Sequence, residues 1–203
     1  MTTLSTVACN KMIDGLLGKL QHSFTSHMSS YKMESFEPVP IGSWARVRLY
    51  DGHFEKIGKM CRGGDFQVLP QGDNIVIRGT ISVPEPAAKF NGDAYLYNRL
   101  KVRNSDLHLC AKDASFRMQM IVNKRLKKID IDELEPVAIS GFHVEDEKGH
   151  MYKELPWPFS KIRETQLVKQ KYQFMSQLQH KLCDNIREMV SKREVKEEIL
   201  QLV

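Results

Sequence analysis

Near the start of the chain, apolar residues return every three or four positions: Met12, Ile13, Leu16, Leu17, Leu20, Phe24 and Met28. That period puts them on one face of a helix running from about Cys9 to Met28. Gly15 and Gly18 fall inside it, and each costs roughly 1 kcal/mol relative to Ala in a helix interior. The segment is therefore expected to be an amphipathic arm that is separable from the fold and orders on docking. Residues 29–37, closed by Pro38 and Pro40, read as a linker into the main domain.

The period then changes to two. Ala45, Val47 and Leu49 alternate with Trp44, Arg46, Arg48 and Tyr50, and Asp51-Gly52 follows as a turn pair. A second run, Ile75, Ile77, Gly79, Ile81 and Val83, stops at Pro84 and Pro86, which cannot donate to a ladder. A third is expected after Asn91-Gly92, where Ala94, Leu96, Leu100 and Val102 alternate with Tyr95, Tyr97, Arg99, Lys101 and Arg103. Shorter strands are expected at residues 107–110, 115–122 and 137–144. About six short strands punctuated by Gly, Pro, Asn and Asp predict an antiparallel sheet, a sandwich or a small barrel.

Beyond Trp157 and its flanking prolines the period returns to that of a helix. Val168, Tyr172, Met175, Leu178, Leu182, Ile186 and Met189 hold one apolar stripe in line for about six turns. Gln170, Gln173, Gln177 and Gln179 are expected to keep the other faces wet. Such a stripe is either a lid on the sheet or a dimer seam, and in the second case Met175, Leu178, Leu182, Ile186 and Met189 mediate self-association. The pattern gives an α+β protein in three parts: an amphipathic arm and linker over 1–40, a strand-rich basic core over 41–155, and a C-terminal helix over 156–203.

Composition adds charge to this outline. The 203 residues hold 30 Lys+Arg and 25 Asp+Glu, a net charge of +5 and a pI near 9.0. The excess is local: residues 41–130 carry sixteen basic against nine acidic groups, whereas residues 131–160 carry two against seven. Asp130 to Glu135 reads as a solvated acidic loop. Lys124-Arg125-Leu126-Lys127-Lys128 is the densest basic run, placed at a strand end, and such runs bind phosphates or acidic lipid surfaces.

If the strands are regular, alternation turns Trp44, Arg46, Arg48, Tyr95, Tyr97, Arg99, Lys101 and Arg103 to the side away from the apolar face. Rings interleaved with guanidinium groups suit single-stranded nucleic acid, with bases on the rings and cations on the phosphates. The same pattern arises if Trp44, Tyr95 and Tyr97 form a second core beneath the C-terminal helix with Arg stems laid over them. Both readings stand at this level.

Catalytic signatures are missing. The sequence has no phosphate-cradling glycine loop ending in Lys-Ser or Lys-Thr, no two-histidine zinc helix and no serine elbow. Cys61-Arg62-Gly63-Gly64 reads as a hairpin turn. Cys9, Cys61, Cys110 and Cys183 lie too far apart for chelating pairs and fit a reduced compartment, and the seven histidines show no ligand spacing. His108 and His143 read as partly buried, satisfied side chains. No metal, cofactor or enzymatic activity is expected. Without a membrane-length apolar run or a secretory leader, the expected location is intracellular, cytoplasmic or nuclear.

The arm over residues 1–40, the strands from Trp44 to Val122 and the run Lys124 to Lys128 together resemble the matrix proteins of rhabdoviruses, particularly those infecting plants. The outline departs from that family in lacking a Pro-Pro-x-Tyr motif and a lysine-rich start. The resemblance implies a structural protein of the virion that binds nucleoprotein or RNA, self-associates and contacts an anionic membrane surface. Two alternatives fit the same residues: an oligonucleotide-binding-barrel-like module for single strands, and a viral movement-type protein.

Overall fold

The computed structural model describes residues 5–97, 99–151, 154–155 and 157–202, the side chains at 29, 102–104 and 202 excepted. Among the described residues, eleven strands make two antiparallel sheets. The strands are β1 (Lys32–Met33), β2 (Val39–Ile41), β3 (Ala45–Lys56), β4 (Cys61–Arg62), β5 (Gln67–Gln71), β6 (Asn74–Pro84), β7 (Ala87–Leu96), β8 (Leu100–Cys110), β9 (Asp113–Asn123), β10 (Lys128–Ser140) and β11 (His143–Glu145). The first sheet runs β1-β3-β7-β8-β11, with β2 also on β3; the second runs β10-β9-β6-β4, with β5 also on β6. Neither closes into a barrel, and the strands outnumber the six or so that alternation predicts.

Strand β6 ends at Pro84 as expected, and β7 begins after Pro86 in the other sheet. The chain crosses between the sheets at residues 84–87, 110–113 and 140–143, and these crossings hydrogen-bond side by side. Glu85 N–H donates to the Lys112 carbonyl (3.0 Å), Ala111 N–H to Pro86 (3.0 Å) and Lys112 N–H to Ser140 (2.9 Å). Strands that change sheets at a bend are how two layers share one corner.

Turn pairs read from composition also fall inside strands. Asp51-Gly52 is a bulge within β3, where the register to β7 shifts between Tyr50 and His53. Gly52 is required because the Phe90 ring occupies the space its side chain would take. Asn91 and Gly92 are mid-strand in β7, and residues 130–135, expected as an acidic loop, belong to β10. A two-residue turn signal loses to pairing on both sides when the flanking positions bury apolar side chains.

Among the described residues, three α-helices complete the fold: α1 (Thr6–His27), α2 (Val168–Ser191) and α3 (Arg193–Leu202). The Ser5 hydroxyl caps α1 by accepting from Ala8 N–H at 3.2 Å. Helix α1 is not a detachable arm, because Cys9, Met12, Ile13, Leu17, Leu20 and Phe24 are all buried in the common core. Its glycines face open space, with nothing within 4 Å of a Cβ at either Gly15 or Gly18. Burial of the opposite face therefore carries the helix despite them.

The stripe on α2 is likewise core rather than seam. Leu178 and Leu182 are inaccessible, and Met175, Ile186 and Met189 are buried with them, so the five proposed self-association residues are used within the chain. Only Val168 and Tyr172, the first two residues of the stripe, stay exposed. Phe174 packs against Phe54 at 5.8 Å and Phe142 at 5.4 Å, and Phe24 of α1 meets Phe54 at 6.1 Å. Both helices thus fill the angle between the sheets.

The polar side of α2 is not left to water either. Gln173 Oε1 accepts from Glu37 N–H (3.1 Å), Gln177 Oε1 from Glu34 N–H (2.7 Å), and Gln170 and Gln179 donate to the Glu37 and Leu134 carbonyls (both 2.6 Å). The stretch read as a linker is a strap along this helix, with Met33, Phe36 and Val39 buried beneath it. Among the described residues, no helix is long and apolar enough to cross a membrane.

Candidate functional site

Strands β9 and β10 are joined by the turn that carries the basic run. Asn123 Oδ1 accepts from Leu126 N–H at 2.7 Å, and Lys127 takes a φ of 48°, so the chain reverses over four residues and all side chains of the tip point outward. Lys124, Arg125, Lys127 and Lys128 are exposed, and Leu126 between them is 70% exposed. Lys128 pairs with Asp130 at 2.7 Å and Arg125 reaches Asp73 only at 4.0 Å. Among the described residues, Lys124 and Lys127 have no ion pair.

Behind this tip lies an open cleft of about 610 Å³ between the hairpin and the start of α3. Lys124, Lys127, Arg193 and Lys196 line it against a single carboxylate, Glu197, which Arg193 already holds at 2.7 Å. Leu200 supplies an apolar wall. The cleft is thus a cationic basin facing solvent, suited to an anionic group.

Deeper in the molecule, α1, α2, β9 and β10 enclose a wholly apolar seam. Leu17 and Leu20 of α1, Met189 and Val190 of α2, Met118 and Met120 of β9 and Ile131 of β10 meet there around a void of about 20 Å³. That is room for little more than one water, so the seam is nearly closed. Three of its walls are methionines, whose unbranched, polarisable side chains repack at low cost. Val190 is followed by Ser191 at the cleft, and Met120 and Ile131 lie a few residues from the basic run, so seam and cleft are neighbours along α2, β9 and β10 without sharing a lining residue.

The aromatic and basic set of the first sheet is arranged differently. Arg46 and Arg48 are on its outer face, with Arg46 opposite Tyr95 and Tyr95 opposite Lys101, so three strands present one row. The row is committed to itself. The Arg48 guanidinium lies 4.9 Å over the Tyr95 ring, Lys101 pairs with buried Asp93 at 2.7 Å, and Tyr95 Oη donates to the same carboxylate at 3.2 Å. The hydrogen bond Lys101 donates to Asp93 raises it above the usual lysine range, and burial, then Asp93, raises Tyr50.

Trp44 is not in the strand but in the turn before it, stacked on Trp157 at 5.8 Å and 12°. Tyr97 and Arg99 are also off the row, because β7 and β8 are two strands joined at that point rather than one; Tyr97 takes a φ of 47° and is 76% exposed. The Arg103 side chain lies outside the described residues. These side chains are exposed or half-buried, so they do not form a second core under α2.

The structure therefore does not bring the predicted residues into one site. The basic tip belongs to the second sheet and the aromatic row to the first. Sequence reading missed the seam, since its walls come from four elements, and missed Arg193 and Lys196 of α3. It also missed a cluster at the edge of the first sheet, where Cys110, His143 and Glu145 converge. Register alone joins them, with His143 opposite Cys110 across β8 and β11.

No protein-family model matches the chain, and no curated protein matches it. Among solved structures, a crystal structure of lipopolysaccharide binding protein superposes with a TM-score of 0.54 at 12% identity. The match covers 87% of this chain and 38% of that one, so this chain spans well under half the length of its structural relative. At that identity the likeness is one of fold.

Proposed function

We propose that this protein is a binding domain for anionic amphiphiles, with the headgroup in the cationic cleft and an apolar chain entering the seam between α1, α2 and the second sheet. The observation that carries the reading is the proximity of the two: a basin with four cations lies beside elements whose inner lining contains no polar group, and its methionines can give way to a chain. A headgroup satisfies the first and a hydrocarbon chain the second, at roughly 0.8 kcal/mol per buried methylene. The fold likeness to a protein named for binding lipopolysaccharide points the same way. The exposed Leu126, ringed by cations, suits contact with an anionic lipid surface from which such a ligand is drawn.

The test compares three probes on the full chain: a fluorescent long-chain anionic amphiphile, a zwitterionic one with the same chain, and the anionic headgroup alone. Saturable binding at least tenfold tighter for the first than for either other is the expected result. Equal binding of the two long-chain probes, or of headgroup and intact amphiphile, overturns it.

A second reading rests on the exposed pair Tyr97 and Arg99 and on the uncommitted lysines of the basic tip. On it, the chain coats RNA or nucleoprotein in the manner the matrix resemblance implies. Each phosphate contact then adds about 0.7 to the log–log salt slope on single strands. Oligonucleotide binding that steepens this way, and loses affinity in Tyr97→Ala, supports this reading over the first. Self-association, if the chain uses it, needs a surface other than the buried stripe of α2.

A further inference from the structure

We propose that Cys110, His143 and Glu145 form a binding site for a thiophilic divalent cation of the zinc type at the edge of the first sheet. The site is independent of the amphiphile reading, sitting on the outer face of β8 and β11 rather than at the cleft. Its donor set, one thiolate, one imidazole and one carboxylate, is the mixture that a borderline-soft cation accepts.

The geometry is close to that of a metal cage. Cys110 Sγ is 3.3 Å from one carboxylate oxygen of Glu145, His143 Nε2 is 3.4 Å from the other, and the three donors all lie within 4.8 Å of one another. Bonds of about 2.0 to 2.3 Å at tetrahedral angles put ligand atoms roughly 3.3 to 3.6 Å apart. With either carboxylate oxygen as the ligand, one of the three separations already meets that figure, and all three lie within 4.8 Å. Three protein donors leave a fourth position to water, the arrangement of an open site.

The imidazole is held in the tautomer a ligand needs. His143 Nδ1 lies 2.7 Å from the Gly141 carbonyl, to which only a protonated Nδ1 can donate. In the neutral ring Nε2 is then a bare lone pair aimed at a carboxylate. Pairing of the non-ligating nitrogen with a backbone carbonyl is the usual support for a metal-bound histidine. Gly141 takes a φ of 60° at the sheet crossing, and a side chain there would press on Lys112, so the carbonyl is fixed by a residue that has to be glycine.

The sulfur lies in the same cluster. Cys110 is half-buried and its thiol donates to Glu145 Oε1 at 3.3 Å, so a metal ion bound there takes the place of that proton between sulfur and carboxylate. His108, opposite Glu145 in the ladder, is occupied by Glu55 at 2.8 Å and stays outside the three-donor set.

Cobalt(II) is the probe, added to the reduced full-length chain, with zinc(II) as competitor. A thiolate-to-cobalt charge-transfer band in the near ultraviolet, displaced by zinc, is the expected result. Cys110→Ser abolishes the band, while His143→Gln and the near-isosteric Glu145→Gln weaken cobalt binding at least tenfold with metal-free melting temperatures unchanged. Cys61→Ser, which alters an exposed thiol elsewhere, leaves the band intact. Absence of the band in the parent chain overturns the proposal. So does its survival in Cys110→Ser, or an equal affinity in Glu145→Gln.

Discussion

The two basic regions of this protein carry similar charge and spend it in opposite ways. On the outer face of the first sheet, Arg48 lies over Tyr95 and Lys101 holds the buried Asp93, so these cations are already engaged. At the tip between β9 and β10, Lys124 and Lys127 stand beside an exposed leucine with no ion pair among the described residues, and Glu197 across the cleft is held by Arg193. Position relative to a pleat explains the contrast. A cation in a sheet has cross-strand neighbours about 5 Å away that evolve as partners, whereas a hairpin tip has neighbours on one side only. Charge counted along a chain is therefore not the charge offered to a ligand.

The largest break in this comparison comes from neutralising the tip. With about 1 kcal/mol per Lys or Arg near an anionic lipid surface, changing Lys124, Arg125, Lys127 and Lys128 to Gln should weaken binding to phosphatidylserine-containing vesicles roughly a thousandfold. Cosedimentation measures it, and Arg46→Gln with Arg48→Gln should change the same binding by less than about threefold. Comparable losses from both sets would erase the distinction drawn here.

Thiol chemistry offers the next contrast. Cys61, at the exposed edge of the second sheet, should alkylate at least about tenfold faster at pH 8 than Cys110 or Cys9, since the thiolate is the nucleophile. Burial pushes the Cys9 thiol up to about 11 and, with Glu145, raises Cys110 further. Mass-spectrometric labelling rates settle the order.

A smaller effect isolates the apolar part of the tip. Leu126→Ser removes a side chain that touches nothing in the core, so the melting temperature should hold while vesicle binding falls about fivefold, the share of a partly inserted leucine. Smallest is the converse on the first sheet. Lys101→Met leaves the Asp93 carboxylate buried without its cation, and the melting temperature should drop by roughly 2 to 4 °C with vesicle binding unchanged. A stable Lys101→Met variant with weakened binding would show that this face is an interface after all.

Much of the molecule was legible in its residues, and the misses share a cause. The helices over residues 6–27 and 168–191 and the alternation of β3 and β6 follow from period alone, because one buried face is enough to impose it. The basic tip was legible too, since four charges in five residues exclude a core position. The glutamines of α2 were misread as a wet surface. An amide side chain looks the same in sequence whether it bonds to water or to the backbone of a strap some 140 residues away. Gly15 and Gly18 argued for a weak arm, and that argument was sound for an isolated helix and irrelevant once six apolar side chains were buried.

What the sequence determined by itself is therefore local: which stretches are helical or extended, which face of each is apolar, and where uncompensated positive charge is densest. What only the tertiary structure decided is every property that depends on which element lies beside which. Pairing of β8 with β11 set Cys110 against His143 across 33 positions, and folding of α1 and α2 into the angle between two sheets made a core of a stripe that could equally have been a dimer seam. The physical reason is that backbone propensity and hydrophobic period act over one turn or one pleat. Register and layer contacts are fixed by the collective burial of some fifty side chains, and no single segment carries that information.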